Sequence, residues 1–133
     1  MFLLVEYQKQ KGVPYRIQAC SFNDHNCCEC EKCFRTVISL IAKGADPQDF
    51  GFEISGSLKA HWEKVVQRDI ALWGPAKEVY YYGLVSKRMR ENYDNIPDKQ
   101  FVDWFLSCDF NAMKKKALKK LHVNLKALQR LKK

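Results

Sequence analysis

Three cysteines at two-residue spacing, Cys27, Cys30 and Cys33, with Cys20 upstream, constrain this chain more than any other feature. A C-x2-C-x2-C run brings its thiols close enough to converge on one tetrahedral ion, and Cys20 can supply a fourth ligand. The intervening stretch, CSFNDHNCCECEKC, has no apolar core of its own. Four thiolates neutralised by Zn²⁺ would fix such a loop. A structural zinc site with Cys20, Cys27, Cys30 and Cys33 as ligands is the expectation.

A disulfide framework is the main competing use of six cysteines. Two features weigh against it. FLLV near the start is too short for a secretory apolar segment and is soon followed by charges. Five of the six cysteines fall between positions 20 and 33, which suits one ion better than crosslinks between distant segments. Cys108, inside FVDWFLSC, reads as an ordinary buried thiol. Within the metal reading some alternatives stay open. Cys28 directly follows Cys27, and adjacent cysteines seldom share an ion, so one is a bystander; the spacing favours Cys27 as the ligand. His25 is a substitute donor, although a lone loop histidine is more often solvated. An Fe–S cluster takes the same ligand type, and zinc is preferred as the commoner centre.

At 133 residues the chain is one domain or part of one. Its 47% hydrophobic and 13% aromatic content suffices for a packed core and argues against disorder. No stretch reaches the ~20 apolar residues of a membrane span. The formal charge is +8, and a four-thiolate zinc site would reduce it to about +6. The excess is local: from Lys114 to the end there are nine Lys or Arg and no acid.

Periodicity predicts a mainly α protein: a helical domain with a tetracysteine zinc loop and one short strand. A helix over residues 2–11 is followed by a cap at Gly12, and PYRIQA, residues 14–19, alternates as a strand does. From Glu31 the positions Phe34, Val37, Ile38 and Ile41 share a helix face, with Gly44 ending it and Cys33 in the first turn. A helix N-terminus favours thiolates, and Lys32 and Arg35 lie nearby. Residues 45–57 read as a loop. Its Ser55-Gly56-Ser57 is a weak phosphate-loop signal beside the simpler reading of Ser57 as a helix N-cap.

Helices then follow over Leu58–Leu72, with an apolar stripe through Leu58, Trp62, Val65, Val66 and Asp69-Ile70, and over residues 76–92 after a Gly74-Pro75 break, carrying Val79, Tyr80, Tyr82, Gly83, Leu84 and Met89. Another runs over Lys99–Cys108 behind an Asp98 cap. A basic helical segment covers Ala112–Lys133, broken near His122-Val123-Asn124.

The run Asn26-Cys27-Cys28-Glu29-Cys30-Glu31-Lys32-Cys33-Phe34-Arg35-Thr36, preceded by Arg16-Ile17-Gln18-Ala19-Cys20, resembles the C-terminal zinc-binding segment of 7-cyano-7-deazaguanine synthase-like proteins. These belong to the PP-loop ATP pyrophosphatases, and relatives tend to read N-C-G-x-C-E-K-C-[LF]-R-T. The match covers about residues 13–44. By position it implies Cys20, Cys27, Cys30 and Cys33 as zinc ligands and puts Cys28 where glycine is usual. The resemblance implies two parts: residues 1–44 as the end of a PP-loop domain, and residues 45–133 as a helical extension. The S-G-G-x-D-S loop through which these relatives bind ATP is not in this sequence. ATP and Mg²⁺ would therefore come from a separate nucleotide-binding part.

The functional expectation is a zinc-binding C-terminal or accessory module of such an ATP-dependent enzyme. It would be structural rather than catalytic by itself and would work in the cytoplasm with another polypeptide or a missing N-terminal part. No catalytic residue is assigned: His25, His61 and His122 are scattered and no acid pair shares a site. The alternative is a zinc-containing module that binds nucleic acid, or another protein, through the basic C-terminal helix. Lys114, Lys115, Lys116, Lys119, Lys120, Lys126 and Arg130 would then face the phosphates. Leucines 118, 121, 125, 128 and 131, at intervals of three and four, also fit a helix docked on a core or partner with its lysines in solvent.

Overall fold

Helix-forming periods dominate the chain, and helices dominate its structure. The computed structural model describes residues 10, 16–20, 25–73 and 77–131, with the side chains of 77–80 outside that set. Five α-helices lie among the described residues: α1 Glu31–Ala42, α2 Leu58–Asp69, α3 Lys77–Glu91, α4 Lys99–Ser107 and α5 Phe110–Leu131. Single 3₁₀ turns occupy Pro47–Phe50, Ile70–Leu72 and Tyr93–Asn95. Apart from residue 10, the helix expected over 2–11 and its Gly12 cap lie outside the described residues, as does the Gly74-Pro75 break.

Helix ends follow the local chemistry. Ser57 caps α2, its hydroxyl accepting the Ala60 N–H at 3.2 Å, and Asp98 caps α4 through the Phe101 N–H at 3.0 Å. The C-terminus of α1 turns through Gly44 at φ +77°, where the Gly44 and Ala45 N–H groups donate back to Ile41 and Leu40.

Two expectations need correction. No β-strand occurs among the described residues. Residues 16–20 form no ladder among the described residues, and the Ile17 N–H donates to the Phe50 carbonyl at 2.8 Å. In addition, α5 is continuous from Phe110 to Leu131, without a break at His122-Val123-Asn124. None of those three residues interrupts the backbone hydrogen-bond ladder, so low propensity alone did not end the helix. The inward face of α3 carries Tyr82, Val85 and Met89, while Leu84 is 45% exposed.

The core is aromatic and centres on Phe34 of α1. Its ring lies 5.1 Å from Trp62, 5.5 Å from Trp73, 5.8 Å from Tyr82, and 6.2 Å from Phe105 and Phe110, so every other helix or its flank meets it. Phe50, Phe52 and Ile54, from the stretch read as a loop, are buried in the same cluster. α1 packs on α3, α2 on α4, and the start of α5 on the Ile70–Leu72 turn. The residue adjacent to Phe34 is Cys33, so the last thiol of the cysteine run is anchored directly to the core.

Candidate metal centre

The cysteine loop is held from below and from the side. From below, Cys30 is the N-cap of α1, its Sγ accepting the Cys33 N–H at 3.4 Å. The Cys27 Sγ accepts the Glu29 N–H, also at 3.4 Å. Both bonds present partial positive charge to sulfur at the positive end of a helix dipole. From the side, His61 of α2 donates through Nε2 to the Cys28 carbonyl at 2.5 Å; a carbonyl only accepts, which places the proton on that nitrogen. Arg68, also on α2, pairs with Glu29 at 3.4 Å. That pair is exposed and contributes little energy by itself.

These supports bring the four Sγ atoms of Cys20, Cys27, Cys30 and Cys33 to within 4.8 Å of one another. Sulfurs around a tetrahedral zinc, at about 2.3 Å from the ion, stand about 3.8 Å apart, so seating an ion needs a contraction of at most about 1 Å. Cys20 and Cys33 are buried, whereas Cys27 and Cys30 are half-buried. All six cysteines of the chain are free thiols, which is not the disulfide alternative. Cys28 is buried but belongs outside the set, its Sγ against the Asn26 carbonyl at 3.7 Å. His25 is exposed and also outside it. The donor set can therefore hold a metal ion.

Electrostatics show what the set needs. Burial, with the neighbouring Cys30 thiol, holds Cys33 well above the usual thiol range. Burial likewise raises Cys27, beside Cys30 and Cys20. Cys28 is pushed up to about 11 by burial and then by the charges that Cys27 and Cys30 would carry. Several thiolates cannot coexist here without a cation, and a divalent ion supplies the missing charge. In the metal-free chain these raised values stabilise the fold fully below the ordinary value of 9.0, and that stability is lost as pH rises through the raised values. Melts of metal-free, reduced chain are expected to be flat from about pH 7 to 9 and to fall between 9 and 11. Metal-loaded chain should fall less, because Cys27 and Cys33 are already deprotonated.

One residue that sequence reasoning passed over organises the site. Asn26 is 7% exposed and uses both ends of its amide. Its Oδ1 accepts the N–H groups of Ala19 at 2.8 Å and Cys20 at 3.3 Å. Its Nδ2 donates to the carbonyls of Ile17 at 2.6 Å and Gly51 at 3.1 Å. It thereby ties the segment carrying Cys20 to the loop carrying the other three thiols. Gly51, at φ +93°, serves the same junction: a Cβ there would meet Arg16 Cγ at 2.8 Å. The only signal in the sequence was the position of Asn26, immediately before the cysteine run. Asn26→Ala strands buried donors and acceptors and should cost about 2–4 kcal/mol. It should also weaken metal binding by about 10–100-fold, as removal of second-layer support does elsewhere, measured by competition with a chromophoric chelator.

The other candidates lie apart. Ser57, of the weak phosphate-loop signal, is occupied as a cap and reaches Gln100 Oε1 at 3.3 Å. A cleft of about 420 Å³ between the end of α1 and the start of α4 is lined in part by Asp46 and Asp98, both engaged as caps. Lys114 donates to the Trp73 carbonyl, while Lys115, Lys116, Lys119, Lys120, Lys126 and Arg130 are exposed along α5, away from the thiols. No described helix is long and apolar enough to cross a membrane. Set against known protein families, curated proteins and solved structures, the chain matches none of them.

Proposed function

We propose that this chain is a structural zinc-binding module, the C-terminal or accessory part of a 7-cyano-7-deazaguanine synthase-like, PP-loop ATP-dependent enzyme, and that it is not catalytic alone. The observation carrying the zinc reading is the convergence of Cys20, Cys27, Cys30 and Cys33 to within 4.8 Å at the N-terminus of a helix. An all-thiol tetrahedral set with no open position is the donor arrangement of structural rather than catalytic zinc. Cys20, Cys27, Cys30 and Cys33 hold the ion; the ion supplies charge neutralisation and a crosslink between the segment at 16–20 and α1. Thiolate ligation suits a reducing compartment, in keeping with work in the cytoplasm.

Cys28 supports the kinship. Its φ of +57° is the left-handed conformation for which glycine is the ordinary residue. Glycine occupies the matching place in the relatives this motif resembles. Cys28→Gly is accordingly the substitution the loop should tolerate with its metal retained.

The test has two stages. Purified chain should carry one zinc per polypeptide, lost in Cys30→Ser and kept in Cys28→Gly. Absence of metal under reducing, metal-replete expression would end the zinc reading. Separately, ATP–pyrophosphate exchange should be absent with the chain alone and appear when a polypeptide bearing an S-G-G-x-D-S loop is supplied. Exchange by the chain alone would refute the accessory role while leaving the zinc site standing.

A further inference from the structure

Helix α5 leaves the domain. Its first turns dock: Phe110 is buried, Met113 and Ala117 pack against the core, and the Lys114 amine donates to the Trp73 carbonyl. From Leu118 to Leu131 every residue is exposed. At 1.5 Å per residue this free part is about 20 Å long. The helix contains no acid between Phe110 and Leu131.

Placing its residues at 100° intervals separates two faces. Leu118, Leu121, Leu125 and Leu128 continue the side that docks. Lys115, Lys119, Lys126 and Arg130 fall within an arc of roughly 60° on the opposite side, with His122 in the same row and Lys116 and Lys120 flanking it. All six of these cations are exposed. The docked residues Phe110, Met113 and Ala117 lie nearer the leucine side, so the cationic row points away from the docked face.

We propose that this outward row binds the phosphate backbone of double-stranded DNA without sequence preference. Three features select that ligand. A single row of cations, unrelieved by any acid, is complementary to a polyanion and makes charge, not shape, the source of affinity. The rod itself is of the width that a B-form major groove of about 12 Å admits, whereas the A-form RNA groove is too narrow and deep. The row carries no Phe, Tyr or Trp, and the single ring of His122 is a poor platform for successive unstacked bases, which disfavours single strands. Gln129, beside His122 at the row's edge, is the only residue on that side of the free part of the type that reads adenine edges, so contacts stay mainly on the backbone. A bilayer fits less well. A surface helix anchors through Trp or Phe on its apolar face, and the exposed leucine face here carries neither. This binding is independent of the enzymatic kinship proposed above.

The experiment is fluorescence anisotropy of a labelled 20-base-pair duplex with the full metal-loaded chain, read against salt. With four to six phosphates neutralised, affinity should fall roughly 10²–10³-fold between 50 and 200 mM salt. The variant Lys115→Gln, Lys119→Gln, Lys126→Gln, Arg130→Gln should bind at least about tenfold more weakly and flatten the log–log salt slope by about 3–4. Glutamine keeps helix propensity close to that of lysine; the milder pair Lys119→Gln, Lys126→Gln should give about half the change in slope. Leu121→Gln with Leu128→Gln should leave DNA affinity within about twofold. The proposal fails if affinity is flat with salt or if the cation variants bind as the parent does. It also fails if single strands or phosphatidylserine vesicles are bound as tightly as the duplex, or if the leucine variant alone abolishes binding.

Discussion

Removal of the metal is expected to lower the melting temperature by about 15 °C or more and to loosen the segment from residue 20 through the first turns of α1. Structural zinc contributes on the order of 10 kcal/mol of binding free energy that the folded state alone collects. Even half of that, in a domain of this size, is a shift of this order. The mechanism is local. Without a cation the raised Cys27 and Cys33 thiols take up protons, and the crosslink between Cys20 and the helix start disappears. Because Cys33 precedes the central core ring, loosening reaches Phe34. Circular dichroism melts of chelated and reloaded chain, with metal content verified, measure this. Cys33→Ser should melt like chelated parent and should not respond to chelator. An unchanged melt after verified removal would show the ion to be dispensable. Acid should release the metal, since each lost ligand bond is replaced by an S–H bond.

The second large effect is expected in the core. Phe34→Ala should cost about 3–5 kcal/mol, because the ring is fully buried and five aromatic side chains stand around the space it would leave. Those neighbours come from different elements, so they cannot collapse together into the gap without moving helices. Leu125→Ala is the matched control: at 51% exposure on the free part of α5 it should change stability by no more than about 0.5 kcal/mol. Denaturant unfolding at constant metal occupancy compares the two. A cost below about 1.5 kcal/mol for Phe34→Ala would mean that the core repacks around the cavity.

Much of this architecture was legible because the forces involved are local. The α1 stripe of Phe34, Val37, Ile38 and Ile41 repeats at the helical period, and all four positions are buried. Ser57 and Asp98 announced helix starts through their own side-chain chemistry, and both cap as expected. The short cysteine spacing brought Cys27, Cys30 and Cys33 together, since residues three apart around a helix start cannot be far from one another. Less legible were features that depend on distant neighbours. The alternation in residues 14–19 signals extended chain, but a strand needs a partner strand, and, among the described residues, positions 16–20 have instead a backbone bond from Ile17 to Phe50. Residues 45–57, rich in turn formers, nonetheless bury Phe50, Phe52 and Ile54, because the core had room for three more apolar groups. In α3, Val85 rather than Leu84 points inward, a matter of where α1 and α4 lie against it.

The amino-acid order by itself determined a helical chain, a set of closely spaced thiols and a cationic end, since each follows from residue type and near-neighbour spacing. Tertiary packing decided how Cys20, already expected in the set, is brought to the other three thiols. Asn26 closes that junction by bonding groups that the chain separates by as many as 25 residues. Packing also decided how much of α5 docks: Phe110 and Ala117 are drawn against the aromatic core, and from Leu118 onward the leucines and the cations alike face water.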